Sequence, residues 1–86
     1  LLSRKSLDSK FVIILDMDWQ KFCERLVDLR NEKEWTQRQF AEKLSVYQAD
    51  INRWETGKHR PSVDMVVKMA KIFSVSTDYL LALTDY

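Results

Sequence analysis

Eighty-six residues suffice for one domain and leave no room for two independent cores, since typical domains hold roughly 100–150 residues. A composition of 45% apolar and 31% charged residues is that of a folding globular chain, and a single Gly and a single Pro disfavour turn-rich β architectures, so an all-α fold is expected. The net charge of +1 gives no bulk attraction to polyanions, and the lone Cys23 and lone His59 exclude an intrachain disulfide and a zinc site built within one chain, so neither metal nor cofactor is expected.

Residues 1–17 read as a polar N-terminal extension around one apolar run, Phe11-Val12-Ile13-Ile14-Leu15, whose β-branching predicts a short strand. That strand needs a partner, either the chain's own helical core or the same strand of a second subunit. Met17 offers another starting point for the compact chain, with residues 1–16 as an addition to it. The run is far short of the roughly 18 apolar residues that span a bilayer and of the roughly 7–15 in a signal peptide. No membrane association is expected, and the chain is expected in the cytoplasm.

The compact unit is expected over 18–86. Asp16 or Asp18 can cap a first helix over about 18–33, where Trp19, Phe22, Cys23, Leu26 and Leu29 or Arg30 recur at helical spacing. Cys23 falls on that apolar face and reads as a small buried hydrophobe. Thr36 followed three residues later by Gln39 is a capping box, and Trp35 can staple onto Phe40, so a second helix covers about 36–44 and buries Phe40, Ala41 and Leu44. Ser45-Val46 interrupts it. A third helix follows over about 47–55 and ends at Gly57, which takes the left-handed termination without strain. After the loop Lys58-His59-Arg60-Pro61, Ser62 caps a fourth helix with an apolar stripe of Met65, Val66, Met69, Ala70 and Phe73. Ser76 caps a fifth, with Val75 stapling to Leu80 and Leu83 one turn further in, so that five helices account for 18–84.

Charge is uneven along this order. Residues 36–60 hold five basic groups, Arg38, Lys43, Arg53, Lys58 and Arg60, against three acidic ones, Glu42, Asp50 and Glu55, a local excess of +2. The second and third helices are short and closely joined, which suits helix-turn-helix geometry. The third divides by angle: Ile51 and Trp54 take the core side, while Gln48, Ala49, Asn52 and Arg53 fall opposite. Gln can bond to adenine N6 and N7, Arg to guanine O6 and N7, and an Ala methyl can meet a thymine methyl. Residue types alone suit either a reader of the major groove or an ordinary solvated face.

Residues 20–84 resemble the phage repressor and Cro (Xre-type) helix-turn-helix family. The resemblance is carried by the run from Leu26 to Leu44 with its Thr36-Gln37-Arg38-Gln39-Phe40-Ala41, by Val46 to Gly57 ending Ile51-Asn52-Arg53-Trp54-Glu55-Thr56-Gly57-Lys58, and by Pro61-Ser62 and Val75-Ser76-Thr77-Asp78-Tyr79-Leu80-Leu81, in order and at matching spacing. It implies a compact five-helix, repressor-like DNA-binding domain acting on double-stranded DNA as a homodimer at a two-fold operator. By the resemblance, Gln37 reaches a phosphate and braces Gln48. Tyr47, Gln48, Ala49 and Arg53 meet base edges, with Asn52 on the same face, and Thr56, Lys58 and Arg60 hold the DNA backbone, with His59 beside them. Arg30 and Glu55 match a pair that forms a salt bridge between the first helix and the end of the third.

Departures from the pattern carry their own expectations. Glu34, Ser45 and Ser74 stand where the family often has Gly at a helix end. Tyr47 replaces the usual Ser or Thr cap, and Asp50 stands near the expected phosphate path, where its charge would repel. Dimerisation is expected through the end of the fifth helix, with Leu81, Leu83 and Tyr86, or through the strand at 11–15. The competing function is a protein-interaction module, such as an antitoxin or adaptor. Catalysis is not expected, because the lone His59 follows Gly57 in a loop with no nucleophile signature, and no small-molecule ligand is evident.

Overall fold

Each helix begins at a side chain that satisfies free first-turn N–H groups, except one that is capped in reverse. In the computed structural model, which describes residues 18–84, the helices are α1 (Trp19–Glu32), α2 (Gln37–Leu44), α3 (Gln48–Thr56), α4 (Val63–Phe73) and α5 (Thr77–Leu80). The expected strand at 11–15, the rest of the extension 1–17 and Tyr86 lie outside the described residues. Asp18 accepts from the N–H groups of Gln20 and Lys21, Ser62 from Met65 and Ser76 from Tyr79. Thr36 and Gln39 form the reciprocal box, at 3.0 and 2.8 Å. Tyr47 makes no side-chain cap on α3, but Asp50 Oδ2 accepts the Tyr47 N–H at 3.1 Å, so half of that box survives the missing Ser or Thr.

The apolar faces meet in one core. Phe22, Leu26, Phe40, Ile51, Met69 and Leu80 are sealed from solvent, and Trp35 stacks against both Phe40 and Phe73 with ring centroids 6.1 and 5.6 Å apart. α2 packs chiefly on α3, and α3 in turn on α1, while α4 and α5 close the other side. Polar ties fix the ends: Lys68 Nζ donates to the Leu44 carbonyl at 2.8 Å, and Arg25 Nη1 donates to the carbonyls of Tyr79 and Thr84, each at 2.8 Å. Among the described residues no helix is long and apolar enough to cross a membrane.

Two expectations need correction. The fifth helix does not run to residue 84 but stops after Leu80: Ala82 turns left-handed at φ 61°, and the Leu83 N–H closes back on the Asp78 carbonyl at 2.8 Å. Both a further turn and this reversal bury an apolar residue near position 83, which is why spacing alone suggested the former. Leu81, expected on a dimer surface, is instead 6% exposed and belongs to the core, with Leu83 packed against it.

Glu34, Ser45 and Ser74 are all left-handed, with φ of 59°, 59° and 57°. A side chain there costs roughly 1 kcal/mol relative to Gly. Ser45→Gly and Ser74→Gly should therefore each raise stability by about 1 kcal/mol, nearly additively because they end different helices. Paired denaturation curves check this, and an unchanged midpoint would mean that the serines recover the strain elsewhere. Gly57 itself, at φ 81°, has room for a Cβ, which would sit 3.7 Å from Cys23 Sγ; only its backbone conformation demands glycine.

Candidate nucleic-acid interface

The turn between α2 and α3 is made by left-handed Ser45, whose N–H points back to the carbonyls of Ala41 and Glu42, followed by Val46, whose N–H donates to Ala41 O at 3.0 Å. This reversal brings α3 across α2, and the fully buried Ile51 keys α3 into the core. With Ile51 inward, the helical period turns Gln48, Ala49, Asn52 and Arg53 outward together, and all four are exposed. Tyr47 at the start of this face is 81% exposed, a large aromatic left in solvent. Asp50, between the core and the outer face, is half-buried. Its Oδ1 lies 3.4 Å from Arg53 Nη1.

α3 is anchored from α1 by an ionic cluster. Arg30 Nε donates to Glu55 Oε2 at 2.6 Å and Nη2 to Oε1 at 3.1 Å, while Nη1 donates to the Trp35 carbonyl at 2.8 Å. The side chains are 14% and 4% exposed. Gln37 joins them: its Nε2 donates to Glu55 Oε1 at 3.0 Å. This departs from the expected brace on Gln48, because a buried carboxylate is a stronger acceptor than a neutral amide. Cys23 adds a second tie, its thiol donating to the Trp54 carbonyl at 3.2 Å, and burial pushes its pKa up, so it stays a protonated strut.

The loop after α3 is exposed throughout Lys58, His59 and Arg60. The backbone N–H groups of Lys58 and His59 both turn back to the Arg53 carbonyl, and His59 borders a cleft against Trp19 and Cys23 of α1. Arg60 is committed elsewhere, its guanidinium lying 4.5 Å from the centroid of the Trp19 ring, so its charge sits at the α1 end of the loop. The Thr56 hydroxyl donates to the Asn52 carbonyl at 2.8 Å and has to leave it before it can donate to a phosphate. Neither bond was legible locally, since Trp19 is far from Arg60 in sequence and a Thr four residues after Asn52 bonds back or outward with similar ease. The Asp50–Arg53 contact did have a signal, an acidic and a basic residue three apart on one helix.

A model of the helix-turn-helix family matches residues 26–80. The chain is 36% identical over 64 residues to the uncharacterized HTH-type transcriptional regulator YobD of Bacillus subtilis (strain 168), covering 74% of this chain and 57% of that protein. It is 42% identical over 62 residues to the HTH-type transcriptional activator BcrR of Enterococcus faecalis, covering 72% of this chain and 30% of that protein. The matched stretch thus spans about half or less of these longer relatives. Among solved structures, the P22 c2 repressor in its crystal structure with synthetic operator 9T is similar in fold, with a TM-score of 0.65 at 24% identity over 69% of this chain and 89% of the repressor chain. The solution structure of the DNA-binding domain of the same repressor gives a TM-score of 0.65 at 25% identity, covering 70% of this chain and 79% of that domain.

Proposed function

The chain belongs to the helix-turn-helix family, and from that premise we propose that it is a sequence-specific DNA-binding transcriptional regulator that inserts α3 into the major groove. One observation carries the reading: Gln48, Ala49, Asn52 and Arg53 stand exposed together on a helix whose opposite side is keyed into the core by the fully buried Ile51. A helix so mounted presents amide, methyl and guanidinium groups to base edges. In this reading Tyr47, Gln37, Thr56 and Lys58 serve the phosphates or the edge of the groove, and Arg60 joins them by leaving the Trp19 ring. Residues 18–86 form the DNA-binding unit, and the chain acts in the cytoplasm.

A single recognition helix reads few base pairs, so useful specificity calls for two copies on half-sites about one helical turn apart. The chain is read as a homodimer on a two-fold operator, and as a repressor that acts by occupying it. Selection of bound duplexes from random DNA tests this, with an inverted repeat as the expected result and a complex mass of two chains per duplex. A single, unrepeated half-site bound by one chain would sink the dimer.

The net charge of +1 favours a second reading, a module that grips a protein partner with the same helices. Salt separates the two. Binding through phosphates weakens steeply as salt rises, whereas an interface with an apolar centre does not.

A further inference from the structure

Asp50 is the acidic residue in the first turn of α3, on the rim of the face proposed to enter the groove. A carboxylate there repels phosphate, so its presence calls for a compensating role. Its two oxygens are used differently: Oδ2 accepts the Tyr47 N–H at 3.1 Å, and Oδ1 faces Arg53 Nη1 at 3.4 Å. The Arg53 and Asp50 side chains are 49% and 33% exposed, and an ion pair so open to water adds little to stability.

Resting on the DNA-reading function above, we propose that Asp50 is a positioning residue for sequence readout, holding the Arg53 guanidinium along the outer face of α3 so that it meets a guanine and not the nearest phosphate. An arginine carries five donors in a rigid fork. With Nη1 turned toward Asp50, the Nε and Nη2 edge stays free, and those two parallel donors match guanine O6 and N7. Unpinned, a long and flexible guanidinium finds the abundant phosphates as readily as one base. The Asp50 charge also lowers the attraction of the whole face for DNA of any sequence, and that widens the gap between cognate and random sites.

The test compares the wild-type chain with Asp50→Asn, Asp50→Ala and Arg53→Ala by selection from random duplexes, followed by titration of the selected site, a copy with the guanine replaced, and a scrambled duplex. Asn keeps an oxygen for the Tyr47 N–H and removes the charge, which also favours the helix N-terminus, so Asp50→Asn should fold with a melting temperature lowered by a few degrees at most. It should reduce the preference for the Arg53-dependent guanine by up to about fivefold, the ceiling for an exposed ion pair worth at most about 1 kcal/mol, and bind the scrambled duplex more tightly than wild type. A guanine preference lost in Arg53→Ala but intact in Asp50→Asn overturns the positioning role. So does a loss in Asp50→Ala with none in Asp50→Asn, which makes Asp50 a helix cap alone. A selected motif with no Arg53-dependent guanine overturns this inference while leaving the DNA-reading function standing. A wild-type chain that selects no motif overturns that function and the inference together.

Discussion

Arg30→Ala should destabilise the fold by about 3 kcal/mol, the low end of the range for removing one partner of a buried ion pair. Glu55 keeps only 4% of its side-chain surface in water, and Arg30 supplies two of the donors that neutralise it. Without the guanidinium, the carboxylate retains the Gln37 amide, a neutral donor that offsets part of the loss and none of the charge. The Trp35 carbonyl loses its donor as well. A chain of 86 residues holds roughly 4–13 kcal/mol of stability at about 0.05–0.15 kcal/mol per residue, so this one change takes a large share of it.

Denaturant melts of wild type and Arg30→Ala, with DNA titrations on the same samples corrected for the folded fraction, measure the two effects separately. The expected result is a much lower midpoint and near-normal binding per folded molecule. An unchanged midpoint with abolished binding would show that Arg30 serves DNA. A double replacement of Arg30 and Glu55 by Met should recover most of the stability, because an apolar pair of similar size leaves no buried charge uncompensated. It would also test whether the pair sets the angle at which α3 leaves the core.

The helix starts were legible because caps are local. Asp18, Thr36 with Gln39, Ser62 and Ser76 each act within three residues of their own position, so one sequence window contains the whole interaction. The core was legible for a related reason, since helical spacing assigns Phe22, Leu26, Phe40, Ile51 and Met69 to inward faces without reference to any partner. The end of α5 was not. Ala82 takes φ 61° with no glycine to announce it, and Leu81 and Leu83 continue the apolar spacing through the reversal.

At the candidate site, spacing assigned the outer face of α3 but not the hydrogen-bond partners of the residues around it. Gln37 bonds Glu55, eighteen positions away, and Arg60 lies over Trp19. Both partners are chosen by how α1, α2 and α3 pack, and that information is absent from any single helix. Which acceptor takes a shared donor is decided by charge and burial, so the Gln37 amide N–H goes to the buried Glu55 carboxylate and not to the neutral, exposed Gln48.

Gln48→Ala and Lys58→Ala should weaken DNA binding in opposite ways. Gln48 is exposed at the first position of α3, where its amide can give and take one bond each at adenine N6 and N7; its loss should reduce affinity for the selected site by about 1–3 kcal/mol and relax the preference at one base pair. Binding to a scrambled duplex should hardly change. Lys58 follows Gly57 on the exposed loop, and no salt bridge ties it among the described residues, so its ammonium is available to a phosphate. Lys58→Ala should lower affinity for every sequence by a similar factor and flatten the plot of log affinity against log salt by about 0.9, one counterion's worth. Arg53→Ala is a less clean probe than either, because it leaves the Asp50 carboxylate without its partner and adds repulsion to the lost base contact. Its expected loss at the selected site is about 1–3 kcal/mol, joined by weaker binding to all duplexes. Isotherms at several salt concentrations on selected and scrambled duplexes distinguish the three. A uniform loss for Gln48→Ala with a selective loss for Lys58→Ala would mean that the loop after α3, and not the helix, lies in the groove.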